Sequence, residues 1–402
     1  MKKAIAFLMS VLMVAMLFAG CGGAQAPATE APATQAPAEE APATEAPAAE
    51  ALSFADLGIG YLATDGEIVM ENAKESYGLP TASGADLEKL FTPEVLQTIR
   101  DGKFTAVYCG HEDGSLWAQT LIKSFGDNLA KFGAELITST GSYWSLDDQI
   151  SKIESCIEMD PDLMVIYIMD EDAYAEVLKK ASDKGIYIIG LNGMPNNREN
   201  YPTYLGTIVP DFYMLGYYSM DMICQQVQEG QIGVSTIINY GEDSNTRRQG
   251  ALDAAATYEN IEVVMGADIA MTVESATEIG ESMIMAYPEL KGYWATWDAL
   301  AMGAGSGIAS LGKSVHVSGP DISDTSTIIS MYTDGMFVGT AAISPNDEGA
   351  LLAMMGVLGM AGVDAPEMVL SPVVIYNKDT AVQAWEYSFG EKLDDDVLAL
   401  IG

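Results

Sequence analysis

The sequence predicts an α/β protein of two doubly wound parallel-sheet domains with a ligand cleft between them. Three observations carry that expectation. Residues 104–192 alternate apolar runs and amphipathic segments as strand, helix, strand, helix, strand, helix, strand. The same cycle restarts at residue 203, and polar and aromatic residues gather where the strands end. Strands separated by helices of this length imply right-handed βαβ units, and the ligands of such sheets sit beyond the carboxyl ends of the strands.

The chain begins with Met1-Lys-Lys3 and an apolar run over residues 4–19, the charged start and short core of a secretory signal. Its end, Leu17-Phe-Ala-Gly-Cys21, resembles a bacterial lipobox, in which cleavage leaves Cys21 as the lipid-bearing first residue. Residues 24–51 are Ala, Pro, Thr and Glu; proline denies them a helix and the lack of large apolar side chains denies them a core, so they form a tether. Residues 52–102 carry helical periodicity over 86–100, with Thr92-Pro93 as a helix start, and form a pre-domain without an assigned role.

The first domain then reads in order as strand 104–109, helix 116–131 closed by Gly133, strand 135–139, helix 146–158, strand 163–167, helix 172–184 ended by Gly185, and strand 187–191. The second cycle places strands at 203–207, 233–239, 262–266, 292–296 and 315–318, with helices at 212–229, 246–258, 273–287, 300–311 and 323–334. Strands at 337–343 and 368–376, separated by a helix at 348–360, let the chain cross back between domains.

Composition excludes some functions. A net charge of −38 with only 19 Lys and Arg argues against a nucleic-acid partner, because phosphate binding rests on clustered cations. Beyond Cys21, the three cysteines Cys109, Cys156 and Cys224 cannot all pair and lack CxxC spacing. They are expected as buried thiols, with no metal site and no cofactor. Gly307-Ile-Ala-Ser-Leu-Gly312-Lys313-Ser314 fits the phosphate-loop pattern, but a helix precedes it and a strand follows, the reverse of what phosphate binding needs. Gly312 therefore reads as a helix cap, with its basic neighbour on the last carbonyls. His111 and His316 sit on different halves, no HExxH or GxSxG occurs, and Asp170, Glu171 and Asp172 read as helix-start capping. No catalytic set is assembled, so the chain is not expected to be an enzyme.

What does stand out is Trp117, Trp144, Tyr167, Trp297 and the pair Asn192 and Asp298, all at or just beyond strand ends. A sugar needs that mixture: aromatic faces against its C–H surfaces, and Asp, Asn or Arg for neighbouring hydroxyls.

With these residues in place, the region of about 103–376 resembles the type I periplasmic binding proteins of ABC importers, in the ribose- and galactose-binding-like group. Carriers of the likeness are Ala134-Glu-Leu-Ile137, Gln149-Ile-Ser-Lys-Ile-Glu154, Pro161-Asp-Leu-Met-Val-Ile166, Ala181-Ser-Asp-Lys-Gly-Ile-Tyr-Ile-Ile189 and Trp297-Asp-Ala-Leu-Ala-Met-Gly-Ala304. The resemblance implies that Trp117 is the aromatic opening the first helix and that Asn192-Gly193 stands where the family has an Asp-Arg pair. It further implies that Arg247 is the arginine of an R-x-x-G helix start, and that Met271 replaces an aromatic. Trp297 and Asp298 occupy an Asn-Asp position, Asp321 ends the next strand, and Ile343 replaces a hinge glutamine. A three-strand hinge is implied near 206–210, 343–345 and 371–373.

The domains are then a signal peptide at 1–20, the lipidated tether at 21–51, the pre-domain at 52–102, an N-terminal lobe of 103–208 plus 344–372, and a C-terminal lobe of 209–343 plus 373–402. The expectation is a lipid-anchored extracytoplasmic solute-binding protein that holds a small sugar-like ligand and presents it to an importer permease. Trp117, Tyr167, Asn192, Arg247, Met271, Trp297, Asp298 and Asp321 make up the ligand site. The lost arginine and the extra aromatic surface leave open a nucleoside-type or larger glycosidic ligand, and a receptor or kinase in place of the permease.

Overall fold

The computed structural model describes residues 53–59, 69–70, 79–237 and 241–402. The expected signal segment, Cys21 and the tether lie outside the described residues. The chain runs through β1 (Val69–Met70), α1 (Gly84–Glu88), α2 (Pro93–Gly102), β2 (Thr105–Gly110), α3 (Leu116–Phe132), β3 (Glu135–Gly141), α4 (Leu146–Ile157), β4 (Leu163–Tyr167), α5 (Ala175–Asp183), β5 (Tyr187–Leu191) and β6 (Tyr204–Pro210). It continues through α6 (Phe212–Val227), β7 (Gly230–Ser235), α7 (Gly241–Ala256), β8 (Ile261–Met265), α8 (Val273–Ala286), β9 (Leu290–Ala295), α9 (Asp298–Ser310), β10 (His316–Ser318), α10 (Thr325–Thr333) and β11 (Thr340–Ile343). It closes with α11 (Pro345–Met360), β12 (Met368–Ser371), β13 (Val373–Tyr376), α12 (Ala381–Phe389) and α13 (Asp395–Ile401).

The first lobe is a six-stranded sheet in the order β12-β6-β5-β4-β2-β3, parallel throughout. Its inner strands β2, β4 and β5 are buried and mostly apolar on both faces because both faces are covered, whereas the edge strand β3 alternates with exposed residues. On one side Leu121, Phe125 and Leu129 of α3 pack with Leu351, Leu352 and Met355 of α11; on the other, Ile153, Val177 and Leu178 come from α4 and α5. α11 is buried along its length, so its sequence has no polar stripe. The second lobe repeats the plan with the parallel order β10-β9-β7-β8, beside an antiparallel sheet β1-β13-β11.

Three connections join the lobes. β6 ends at Pro210 and leads into α6, β11 leads into α11, and β12 leads into β13. The single strand expected over 368–376 is two strands. Pro372 between them has no N–H to donate, and the chain leaves one sheet for the other at that residue. α11 starts at Pro345, three residues earlier than expected, because Ser344 accepts from the Asp347 amide (3.2 Å) and proline suits the first turn. α5 starts at Ala175, later than expected: Asp170 forms a turn, accepting from the Asp172 amide at 2.9 Å.

Residues 79–102 and Phe54 join the first lobe's core. Phe91 lies between Phe54 (4.8 Å) and Phe132 (5.1 Å), with Leu87, Leu96 and Ile99 buried beside them. The same N-terminal stretch touches both sides of Pro372. Val69 and Met70 pair with Val374 and Val373, while Ala82 exchanges backbone hydrogen bonds with Met368 and Leu370 at 3.0 and 2.8 Å. Gly312 takes φ +73 just past α9, as a helix-ending glycine does, and its N–H donates to Ala309. The Lys313 side chain reaches the Pro288 carbonyl of a neighbouring loop at 3.0 Å, and only its backbone N–H serves the helix end, donating to the Ile308 carbonyl at 3.4 Å.

Candidate ligand-binding site

The carboxyl ends of both parallel sheets meet at a cavity of about 270 Å³. The first lobe contributes His111, Trp117, Trp144, Tyr167 and Asn192; the second contributes Asp243, Arg247, Trp297, Asp321 and Ser323, with Ile343 from the hinge.

Trp117 stands in the first turn of α3, whose N-cap Ser115 accepts from the Ala118 amide at 3.1 Å. Glu112 accepts in turn from the Ser115 amide (3.0 Å) and hydroxyl, which fixes the loop after β2. Tyr167 ends β4, its carbonyl accepting from Gln149 at 2.9 Å. Asn192 follows β5 with φ 56, a left-handed conformation that asparagine tolerates better than most residues. Its Oδ1 is buried and finds no hydrogen-bond partner among the described residues.

Arg247 rides on α7, which packs directly on α6. Added Cβ atoms at Gly216 and Gly250 would meet backbone oxygens at 1.8 and 2.0 Å, so both positions need glycine for this approach. The guanidinium donates to Asp321 Oδ2 at 2.6 Å and to the Thr296 carbonyl at 3.3 Å, and lies 5.4 Å from the Phe212 ring centroid. Burial alone would lower the Arg247 pKa, but Asp321 and Asp243 hold it above its ordinary value, so it stays charged. Asp243 is raised by burial and pulled back by Arg247. Asp321 has φ 74, and its Oδ1, like Arg247 Nε, has no partner among the described residues.

Asp298 is not on the cavity wall. It is buried behind it at the start of α9, where its carboxylate accepts from the Ser323 amide (2.6 Å) and hydroxyl (2.5 Å). Burial lifts its pKa to about 7, with Asp321 adding in the same direction against the hydrogen bonds. Its role is to hold the 321–323 loop. Met271 is apart from the site: it lies in the loop before α8, is 36% exposed, and is absent from the cavity wall. Six of the eight expected residues therefore converge: Trp117, Tyr167, Asn192, Arg247, Trp297 and Asp321.

His111, Glu112, Asp243 and Ser323 were not expected. His111 directly follows β2, so the strand-end rule that singles out Trp117 covers it too. Its ring is 3.9 Å from Tyr167, 4.3 Å from Trp144 and 5.6 Å from Trp117, and burial holds its pKa down at about 3. It is a neutral imidazole whose buried Nδ1 has no partner among the described residues. No cluster of His, Cys, Asp and Glu among the described residues could hold a metal ion. Cys109, Cys156 and Cys224 are buried free thiols.

Residues 92–362 match the family described as a periplasmic binding protein domain. A D-ribose/D-allose-binding protein of Pseudomonas aeruginosa is 26% identical over 200 residues, 48% of this chain, and the match spans only 61% of that relative's length. Among solved structures, an ABC transporter periplasmic solute binding protein from Actinobacillus succinogenes with bound D-allose is similar with a TM-score of 0.62 and 19% identity, over 69% of this chain and 99% of that one. A solute binding protein from Bacillus halodurans with bound myo-inositol gives 0.60 and 18%, over 71% and 98%. These structural likenesses establish the two-lobed fold.

Proposed function

The chain belongs to the periplasmic binding protein family, and from that premise we propose that it is an extracytoplasmic solute-binding protein that closes its lobes over a neutral, hydroxyl-rich sugar. One observation carries the reading. Buried polar atoms left without partners come from both lobes to one cavity: His111 Nδ1 and Asn192 Oδ1 from the first, Arg247 Nε and Asp321 Oδ1 from the second. A buried polar group without a partner costs about 1–3 kcal/mol. A ligand that offers donors and acceptors on adjacent carbons removes that cost on both sides at once, which is what favours the closed form. One indole from each lobe, Trp117 and Trp297, supplies flat surface for the ring's C–H faces.

The ligands of similar structures, the sugar D-allose and the cyclic polyol myo-inositol, are both hydroxyl-rich rings and support the same ligand class. The partner we infer is an importer permease that reads the closed form, and the ligand leaves chemically unchanged, so the protein is not an enzyme. The lipobox-like Cys21 would tether it to the membrane. A thermal-shift screen of the full chain against monosaccharides, polyols and amino acids tests the reading. A sugar at 100 times its Kd is expected to stabilise the protein by about 2.7 kcal/mol. Stabilisation by amino acids alone would overturn it.

A further inference from the structure

The loop between β3 and α4 is built unlike a simple connection. Tyr143 and Trp144 both have left-handed backbones, φ 48 and 64. Two successive non-glycine residues in that region are strained, and strain of this kind persists only where surrounding contacts impose it. Here they do. The Trp144 amide donates to the His111 carbonyl at 3.0 Å, the Ser142 hydroxyl donates to the carbonyls of Gly110 and His111 at 3.3 Å each, and the Tyr143 hydroxyl donates to Asp113 at 2.8 Å. Gly141 sits so close to the other loop that a Cβ there would lie 2.5 Å from the Asp113 nitrogen.

The product of this latch is the position of one indole. Trp144 lines the ligand cavity and yet leaves 42% of its surface exposed, which places it at the mouth. It stands edge-on to Tyr167, 6.1 Å between centroids at 86°, and against His111 on the inner side. At about 270 Å³ the cavity lies just below the usual range of ligand pockets, ~300–1,000 Å³, a size that suits one small ring. A group attached to that ring on the side of the mouth meets Trp144.

We propose that Trp144 is the wall of a second stacking subsite at the cleft mouth, and that the ligand is a sugar joined to a second flat-faced ring: another sugar, an aryl aglycone or a nucleobase. The shared chemistry is a ring with an apolar face linked to the sugar held inside. This deepens the sugar-binding reading and rests on it.

Calorimetric titration of the full chain tests it, using the monosaccharide that binds best, its disaccharides, its phenyl glycoside and, for a pentose, the matching nucleoside. The arm that binds most tightly identifies the second ring. At least one two-ring ligand is expected to bind about tenfold more tightly than the monosaccharide. In Trp144→Ala that ratio falls to about one, and in Trp144→Phe, which keeps a ring at the mouth, much of it returns. A wild-type ratio of one across all arms overturns the second subsite and leaves the sugar reading standing. A ratio that persists in Trp144→Ala also overturns it. Binding of no sugar in any form overturns both.

Discussion

Replacing Asp298 by asparagine will remove a specific part of the protein's pH dependence. The Asp298 side chain is 1% exposed and accepts two hydrogen bonds from Ser323. Burial nevertheless outweighs those bonds and raises the pKa from 3.8 to about 7. Between those two values the unfolded chain has released a proton that the folded chain keeps, so stability falls as pH rises through this window. The gap between 3.8 and about 7, at about 1.4 kcal/mol per pH unit, corresponds to a loss of about 4 kcal/mol by the upper end. Asparagine has nearly the same shape and can still bond Ser323, but it cannot ionise. Glu348 and Asp243, also raised by burial, contribute equally to both proteins and cancel in the difference. Urea unfolding from pH 4.5 to 8 should therefore show the stability difference moving in favour of Asp298→Asn by up to about 3 kcal/mol, mostly below pH 7. Parallel curves across that range would refute the assignment of a buried, protonated carboxyl behind the 321–323 loop.

Asp321→Asn keeps the size of the side chain but removes the charge facing Arg247; ligand affinity is expected to fall about 100-fold, roughly the 2–5 kcal/mol seen for truncated charge pairs, and calorimetry that finds it unchanged removes Asp321 from the site. Gly206 has φ 146 and an added Cβ would lie 2.3 Å from the Glu367 carbonyl oxygen. Gly206→Ala should lower the unfolding free energy obtained from urea titration by about 1–3 kcal/mol, whereas a neutral outcome would mean the strand shifts freely. Met271→Ala should leave both affinity and stability within about 0.5 kcal/mol, and a tenfold weaker ligand would put Met271 back in the cleft.

Much of the fold was legible because two periodicities alternate cleanly. Strands 163–167 and 187–191 fall at the observed bounds, and most helices agree to within a few residues. Strand ends point to the cavity lining: Asn192 directly follows β5, Trp297 and Asp321 lie two and three residues past β9 and β10, and Trp117 opens the helix after β2. Met271 lies off the cavity wall for a physical reason: seven irregular residues separate β8 from α8, and counting positions through such a loop does not fix where a side chain goes. Asp243 was hidden because α7 begins at Gly241, five residues before the expected start, so a wall residue lay inside an expected loop. His111 carries no catalytic pattern in the sequence, and its packing among Trp117, Trp144 and Tyr167 depends on residues distant in sequence. The split at Pro372 was readable from the missing donor alone, since a proline in mid-strand argues for an edge or a break. The packing of Phe54 and residues 79–102 onto the first lobe depends on contacts distant in sequence, which periodicity does not encode.

The most direct test of the central claim is a calorimetric titration of the full chain with the best-stabilising sugar, followed by recovery and chemical identification of the ligand. The account predicts saturable binding of one sugar per chain, recovered unchanged. Sugar converted to another product, or no saturable binding to any sugar, would contradict it.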